Sequence, residues 1–287
     1  MNNEECPLIT AVILTRNEAH RLPSIFENLK GFARIEVYDA GSTDETKEIC
    51  LVNGVKFQLR EVTTLEVCGA MYKDAFAHVT TPYMLLVSCA HFYPQQLKEA
   101  FKKVANEGKY HAVYHDVVTY NYSKIVHRPF FRRRASACNF FKLDAINFEK
   151  AIYHNEVAVD VSEKLKLYLP ATDEMSFHMF REYDAEKDEA QNIYYANLEA
   201  KQRFQLGART NFKKIVYRTV KAFVRQYIRC GSICYGTEGL IYALKFANLE
   251  LSIQVKIWEQ QNFITLEGIK KNNQEIRKKM QNNDPQH

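Results

Sequence analysis

Short β-rich runs punctuate the first 118 residues: Leu8 to Leu14, Ile35 to Tyr38, Val55 to Leu59, Tyr83 to Val87 and Ala112 to Val118. Each has the length of a buried strand, and the stretches between them switch to helical spacing. Leu22, Ile25, Phe26 and Leu29 fall at i, i+3, i+4 and i+7 and predict a helix after Asn17. Ser42 and Glu45 have the form of a capping box, predicting a second helix that runs to Asn53-Gly54. Cys68, Met71, Tyr72, Ala75, Phe76 and Val79 predict a third, ended by Thr80-Thr81-Pro82. Pro94 opens a fourth, with Leu97, Ala100, Phe101 and Val104 on its core face. Strands alternating with helices in this way predict an α/β fold, with a mostly parallel central sheet flanked by helices.

Beyond residue 118 the pattern changes. Residues 119–182 mix short strands with loops, and 183–269 read as helices: one from the N-cap Asp184 to about Leu206, one from Phe212 to Arg229, and one beginning near Thr237. The second places Phe212, Ile215, Val216, Thr219, Phe223 and Tyr227 on one side and Lys214, Arg218, Lys221, Arg225 and Arg229 on the other. Residues 270–287 read as a frayed polar tail.

Composition narrows the class. An apolar fraction of 46% over 287 residues suffices for one large domain with an appended unit. The seven cysteines are scattered and include no Cys-x-x-Cys pair, which argues against a zinc site or a disulfide framework. Neither a basic-then-apolar leader nor a run approaching roughly 20 apolar residues is present, predicting a cytoplasmic protein, peripheral on the inner face of the cytoplasmic membrane at most. The net charge of +5 is unevenly spread. Residues 201–229 hold nine basic residues and no acidic one, so the remainder of the chain is net negative. Such local charge points to an anionic partner surface, and no nucleic-acid-binding module accompanies it.

The chemistry concentrates where strands end. Thr15-Arg16-Asn17-Glu18 and Asp39-Ala40-Gly41-Ser42-Thr43-Asp44 each carry an apolar strand into a polar turn that opens a helix, the arrangement that surrounds a nucleotide with amides and carboxylates. Read from residue type alone, Asp39 and Asp44 also suit plain turn and cap roles.

The two turns and their spacing resemble the opening of family 2 glycosyltransferases of the GT-A fold, and more narrowly the branch that adds sugars to the lipopolysaccharide inner core. Tyr153-His154-Asn155-Glu156, Tyr195 to Ala200 and the stretch from Tyr227 to Gly239 extend the resemblance over most of the chain. The resemblance implies a nucleotide-binding half at about 8–118, an acceptor half at about 119–182 and a C-terminal helical, membrane-docking unit. It implies that Thr15, Asn17, Glu18, Asp39 and Asp44 hold the nucleoside of a donor such as a UDP-hexose. The acceptor it implies is a lipid-linked cell-envelope saccharide.

The family also places an Asp-x-Asp triplet after the strand matching Tyr83 to Val87, where carboxylates hold Mg²⁺ or Mn²⁺ against the diphosphate. Here those positions read Ser88, Cys89 and Ala90, followed by His91, so the expected metal lacks its ligands. Three readings follow. The diphosphate is held by the protein's own cations, with Lys73, Arg128, Arg132, Arg133 and Arg134 as candidates. Alternatively, His91, with Ser88 beside it, serves as a phosphate donor or a weak ligand. In the third, catalysis is lost and binding kept. An inverting transfer needs a base for the acceptor hydroxyl. The family's His-Glu pair maps to His154 and Glu156, with Asp160 as the fallback.

Overall fold

The computed structural model describes residues 6–59, 73, 76–128, 137–147 and 158–283. Its centre is a sheet of ten strands. Strand β1 (Cys6–Thr15) is followed by α1 (Leu22–Leu29), β2 (Ala33–Asp39), α2 (Thr46–Val52) and β3 (Lys56–Leu59). After β4 (Tyr83–Ser88) come β5 (His91–Phe92), α3 (Gln95–Glu107), β6 (Ala112–Asn121), β7 (Lys124–His127), β8 (Ala137–Lys142), β9 (Lys166–Tyr168) and β10 (Ser176–Phe180). The spatial order is β3-β2-β1-β4-β8-β6-β10-β5, with β7 and β9 also paired to β6.

The expected parallel character holds for β3, β2, β1 and β4. Beyond them the sheet is mixed, because β8 inserts antiparallel between β4 and β6. Strand β6 is the hub of this half: its first residues pair with β8 and β9, its last with β10 and β7.

The central strands β1 and β4 are mostly apolar because both faces of the sheet are covered there. Ile9, Ala11, Val12 and Ile13 are all fully buried. On one face, α1 and α3 contribute Leu22, Ile25, Phe26, Leu29, Leu97, Phe101 and Val104 to a core that includes Leu85 and Phe140. The spacing had marked seven of the eight core positions predicted for these two helices; the eighth, Ala100, is only half-buried. Phe101 stacks on Phe140 at 4.3 Å between ring centroids. A second core, with Val12, Tyr38, Phe76, Met84 and Phe141, lies on the opposite face.

The capping box does not form. Helix α2 starts at Thr46, and Ser42 turns its hydroxyl back to Asp39 rather than forward into the helix. Asp44 takes over the cap, accepting from the Thr46 amide at 3.2 Å and the Thr46 hydroxyl at 2.6 Å.

The C-terminal region is helical: α4 (Ala185–Gln205), α5 (Phe212–Val224), one π-turn (Arg225–Arg229), a 3-10 turn (Ser232–Tyr235), α6 (Gly236–Gln261) and α7 (Leu266–Asn283). Asp184 caps α4 as expected, accepting from the Lys187 amide at 2.8 Å. The frayed tail is instead helix α7. Its Lys, Glu, Gln and Arg residues are good helix formers uninterrupted by proline, and Leu266, Ile269, Ile276 and Met280 recur along one side of it, all exposed.

A buried ionic seam joins these helices to the sheet. Asp188 of α4, almost wholly buried, accepts from Arg181 at 2.9 Å and from Lys245 of α6. Ser232 donates to the Val126 carbonyl of β7 at 2.9 Å. The first turn of α6 then lies so close to Ser232 that a Cβ on Gly239 would stand 1.9 Å from its carbonyl oxygen.

Candidate functional site

The chain leaves β1 toward β2 and β3 on one side, then crosses to β4 on the other. The crevice outside the carboxyl ends of β1 and β4 is therefore the topological switch point, where open α/β sheets bind ligands. Thr15 to Glu18, Asp39 to Asp44 and Ser88 to His91 converge there, since Thr15 pairs with Asp39 and Leu14 with Ser88.

The two turns are laced together. Asn17, at a positive φ of 54°, donates its amide to Ser42 Oγ at 2.7 Å, and its side-chain oxygen accepts from the Thr43 amide at 2.8 Å. Asp44 accepts from the Ala19 amide at 3.1 Å. Burial opposes its ionisation, but the Thr46 hydroxyl and the amides of Ala19 and Thr46 outweigh it and hold the carboxyl below its ordinary range. Asp39 is only 2% exposed. Its Oδ2 accepts from the amides of Gly41 at 2.9 Å and Ser42 at 2.7 Å, while Oδ1 accepts the Ser42 hydroxyl. Gly41 needs its glycine, because the turn sets its φ at 83°. Both aspartates thus shape the mouth, and Asn17 and Thr43 are exposed at it.

Glu18 is held by Arg21, Nη1 to Oε2 at 3.2 Å. Arg21, itself buried, also reaches Glu182 Oε2 at 2.9 Å, and His20 Nε2 donates to the same oxygen at 2.8 Å. Burial resists ionisation of Glu182, but these donors keep its carboxyl below the usual range. The end of β10 is thereby tied to the β1 turn. No motif or spacing signals this link between residues 162 positions apart.

At the end of β4, Ser88 Oγ accepts from the Ala90 amide at 3.3 Å. Cys89 is buried against Thr15 Oγ1 at 3.8 Å, and that burial pushes its thiol up to about 12. His91 packs against Phe177 with the rings tilted by 50° and their centroids 4.4 Å apart, and its Nδ1 faces the Tyr93 hydroxyl at 3.0 Å. Burial, with a smaller contribution from His115, lowers its pKa to about 3, leaving a neutral ring. A divalent cation does not fit this donor set: one neutral imidazole already engaged at Nδ1, one hydroxyl and one protonated thiol offer no carboxylate. Among the described residues no cluster of three His, Cys, Asp or Glu side chains could hold a metal.

The remaining candidates are dispersed. Lys73 is exposed on a helical turn. Arg128, after β7, is paired to Asp173 at 2.7 Å. Asp160 is exposed and accepts from Asn147 at 3.1 Å. Arg132, Arg133, Arg134, His154 and Glu156 lie outside the described residues.

No residue of α5 is buried. Of its cations, Arg218 lies 3.7 Å from Glu250 of α6, Lys214 donates to the Arg209 carbonyl at 3.1 Å, and Lys221 sits over Tyr217; Arg225 and Arg229 follow on the π-turn. The apolar side is divided. Ile215, Thr219 and Phe223 are half-buried, whereas Phe212 and Val216 join Val220 and Val224 in an exposed stripe with a spacing of four.

No protein-family model matches the chain. Among solved structures it is similar to S. aureus TarS 1–349 in complex with UDP-GlcNAc, at 11% identity over 88% of this chain and 91% of that one, with a TM-score of 0.48. It is also similar to glucosyl-3-phosphoglycerate synthase from Mycobacterium tuberculosis in complex with Mn²⁺, UDP-glucose and phosphoglyceric acid, at 18% identity over 39% of this chain and 44% of that one, TM-score 0.32. Mannosyl-3-phosphoglycerate synthase from Rubrobacter xylanophilus matches at 18% identity over 39% and 40%, TM-score 0.34. The chain spans less than half the length of these two synthases.

Proposed function

We propose that the protein is an inverting glycosyltransferase that moves a hexose from a UDP-sugar to a lipid-linked cell-envelope saccharide of the lipopolysaccharide-core kind. One observation carries the reading: two cross-linked polar turns at the carboxyl ends of adjacent parallel strands, opening on the switch-point crevice. Their motifs are also those that resemble family 2 glycosyltransferases. In this reading the nucleoside lies across Thr15, Asn17, Glu18, Asp39 and Asp44, with Ser88 and His91 toward the diphosphate. Lys73 and the arginines from 128 to 134 supply positive charge. Glu156, of the His154-Asn155-Glu156 motif, accepts the proton of the acceptor hydroxyl as the new C1–O bond forms and the bond from C1 to the diphosphate oxygen breaks, releasing UDP. Asp160 is the alternative base. No step uses a metal, because the residues at the end of β4 do not suit one.

The acceptor's lipid anchor suits α5. Its exposed stripe, with Phe212 at 80% and Val220 at 54% exposure, lies beside Lys214, Arg218, Lys221 and Arg225. An apolar face flanked by cations is the form of a helix lying in an anionic headgroup layer, where each cation contributes about 1 kcal/mol. No described helix is long and apolar enough to cross a membrane. Transfer of radiolabelled hexose from UDP-glucose, UDP-galactose or UDP-N-acetylglucosamine to truncated lipopolysaccharide tests the proposal. Transfer that Glu156→Gln abolishes while UDP affinity is kept supports it. Tight UDP-sugar binding with no transfer to any acceptor supports a glycosyltransferase-fold binding protein instead.

A further inference from the structure

Behind His91 lies a chain of polar side chains that nothing above uses: Tyr93 and His115, both fully buried, and the partly buried Asn139 of β8. Tyr93 is clamped at its backbone by Asn28 of α1, which accepts from its amide at 2.8 Å and donates to its carbonyl at 3.0 Å.

Groups that can only accept, together with the shorter of competing contacts, assign the hydrogen bonds along this chain. Asn139 Nδ2 lies 3.1 Å from the Leu86 carbonyl, which can only accept, so the amide's orientation is set and Oδ1 faces His115 Nε2. That oxygen only accepts, and so does the Asp116 carbonyl 3.3 Å from His115 Nδ1; a neutral ring has one proton to give, and the shorter contact places it on Nε2. Nδ2 donates a second hydrogen to the Tyr93 hydroxyl at 2.8 Å. The hydroxyl must then send its own hydrogen elsewhere: to His91 Nδ1 at 3.0 Å, in preference to the Leu86 carbonyl at 3.4 Å. The Ser88 amide approaches the same Nδ1 at 3.3 Å. With Nδ1 accepting, a neutral His91 must bear its hydrogen on Nε2, for which no partner exists among the described residues.

We propose that His91 donates this Nε2–H to a phosphate oxygen of the donor's diphosphate, at the position where the carboxylate triplet is missing, and that Tyr93, Asn139 and His115 are positioning residues that hold it in that tautomer. The ligand part rests on the nucleotide-sugar reading above; the tautomer does not. The imidazole's work is to bind a leaving group as a neutral donor, with no change of protonation required. Burial lowers the pKa of both histidines, to about 3 for His91 and about 4 for His115, which is consistent with two neutral rings.

The test is long-range ¹H–¹⁵N correlation of the histidine side chains in the full-length protein, assigned with His91→Gln, with and without UDP and inorganic pyrophosphate. The expected result is an Nε2–H tautomer for His91 that Tyr93→Phe converts to a mixture, and a shift of its Nε2 resonance on adding UDP. UDP affinity should fall about tenfold in His91→Gln, the scale of one hydrogen bond to a charged group, and by a smaller factor in Tyr93→Phe, with the circular dichroism of both variants unchanged. A protonated Nδ1 in the wild-type protein would overturn the positioning chain. Equal UDP affinity in wild type and His91→Gln would overturn the diphosphate contact while leaving the nucleotide-sugar reading intact. Failure of wild type to bind UDP would overturn that reading and the contact together, with the tautomer still deciding the chain.

Discussion

Leu85, in β4, and Val220, in α5, are both aliphatic residues within regular elements, yet one has no exposed surface and the other is 54% exposed. Around Leu85 two cores fill both faces of the sheet. The C-terminal helices share a much smaller core, with Ala196, Ala200, Ile253 and Ile257 fully or almost fully buried, and are held to the sheet by ionic and polar contacts at Asp188 and Ser232. The sheet half thus spends its apolar residues on folding, while α5 leaves a stripe facing outward. A contiguous exposed stripe beside a row of cations marks an interaction surface.

Four substitutions or titrations can break or sharpen that contrast. Leu85→Ala should cost about 3 kcal/mol, the usual scale for emptying a fully buried leucine site, and would be read from urea unfolding. Gly239→Ala should cost about 2 kcal/mol, since its new Cβ would overlap the Ser232 backbone and only a shift of α6 could relieve it; thermal unfolding followed at 222 nm would report it. Lowering the pH is expected to loosen the nucleotide mouth. The Asp44 and Glu182 carboxyls are both held below their ordinary range, so the stability they contribute is full above the unfolded values and is lost as pH falls through the lower folded ones. Protection of the Ala19 and Thr46 amides against hydrogen exchange, taken relative to the intrinsic rate at each pH, should therefore fall below about pH 4, in the ordinary titration range of carboxylates. Val220→Asp should leave unfolding unchanged within about 0.5 kcal/mol. It should nonetheless reduce co-sedimentation with vesicles containing anionic lipid; a large loss of stability there would mean that the stripe is packed rather than presented.

The contrast also explains what could be read from the chain. Leu22, Ile25, Phe26 and Leu29 face a sheet that demands an apolar stripe, so their spacing predicts the burial observed. The spacing of Phe212 and Val216 marks a face in the same way, yet both are exposed, because a period identifies a face and not what covers it. Ser42 and Glu45 matched a capping box, but a carboxylate three residues upstream, Asp39, competes for the Ser42 hydroxyl. Asn17 and Asp44 were legible as strand-end turn residues. Tyr93, Asn139 and His115 were not: they come from separate segments, and the only local sign is a polar His115 within the apolar run of β6.

The most direct measurement is calorimetric titration of the full-length protein with UDP, UDP-glucose, UDP-galactose and UDP-N-acetylglucosamine, each in EDTA and in Mn²⁺. A mouth built from turn amides and neutral donors predicts that one UDP-sugar binds with the same affinity in both, and that Asp39→Ala abolishes the binding. Binding that requires Mn²⁺, or no binding of any UDP-sugar, would contradict it.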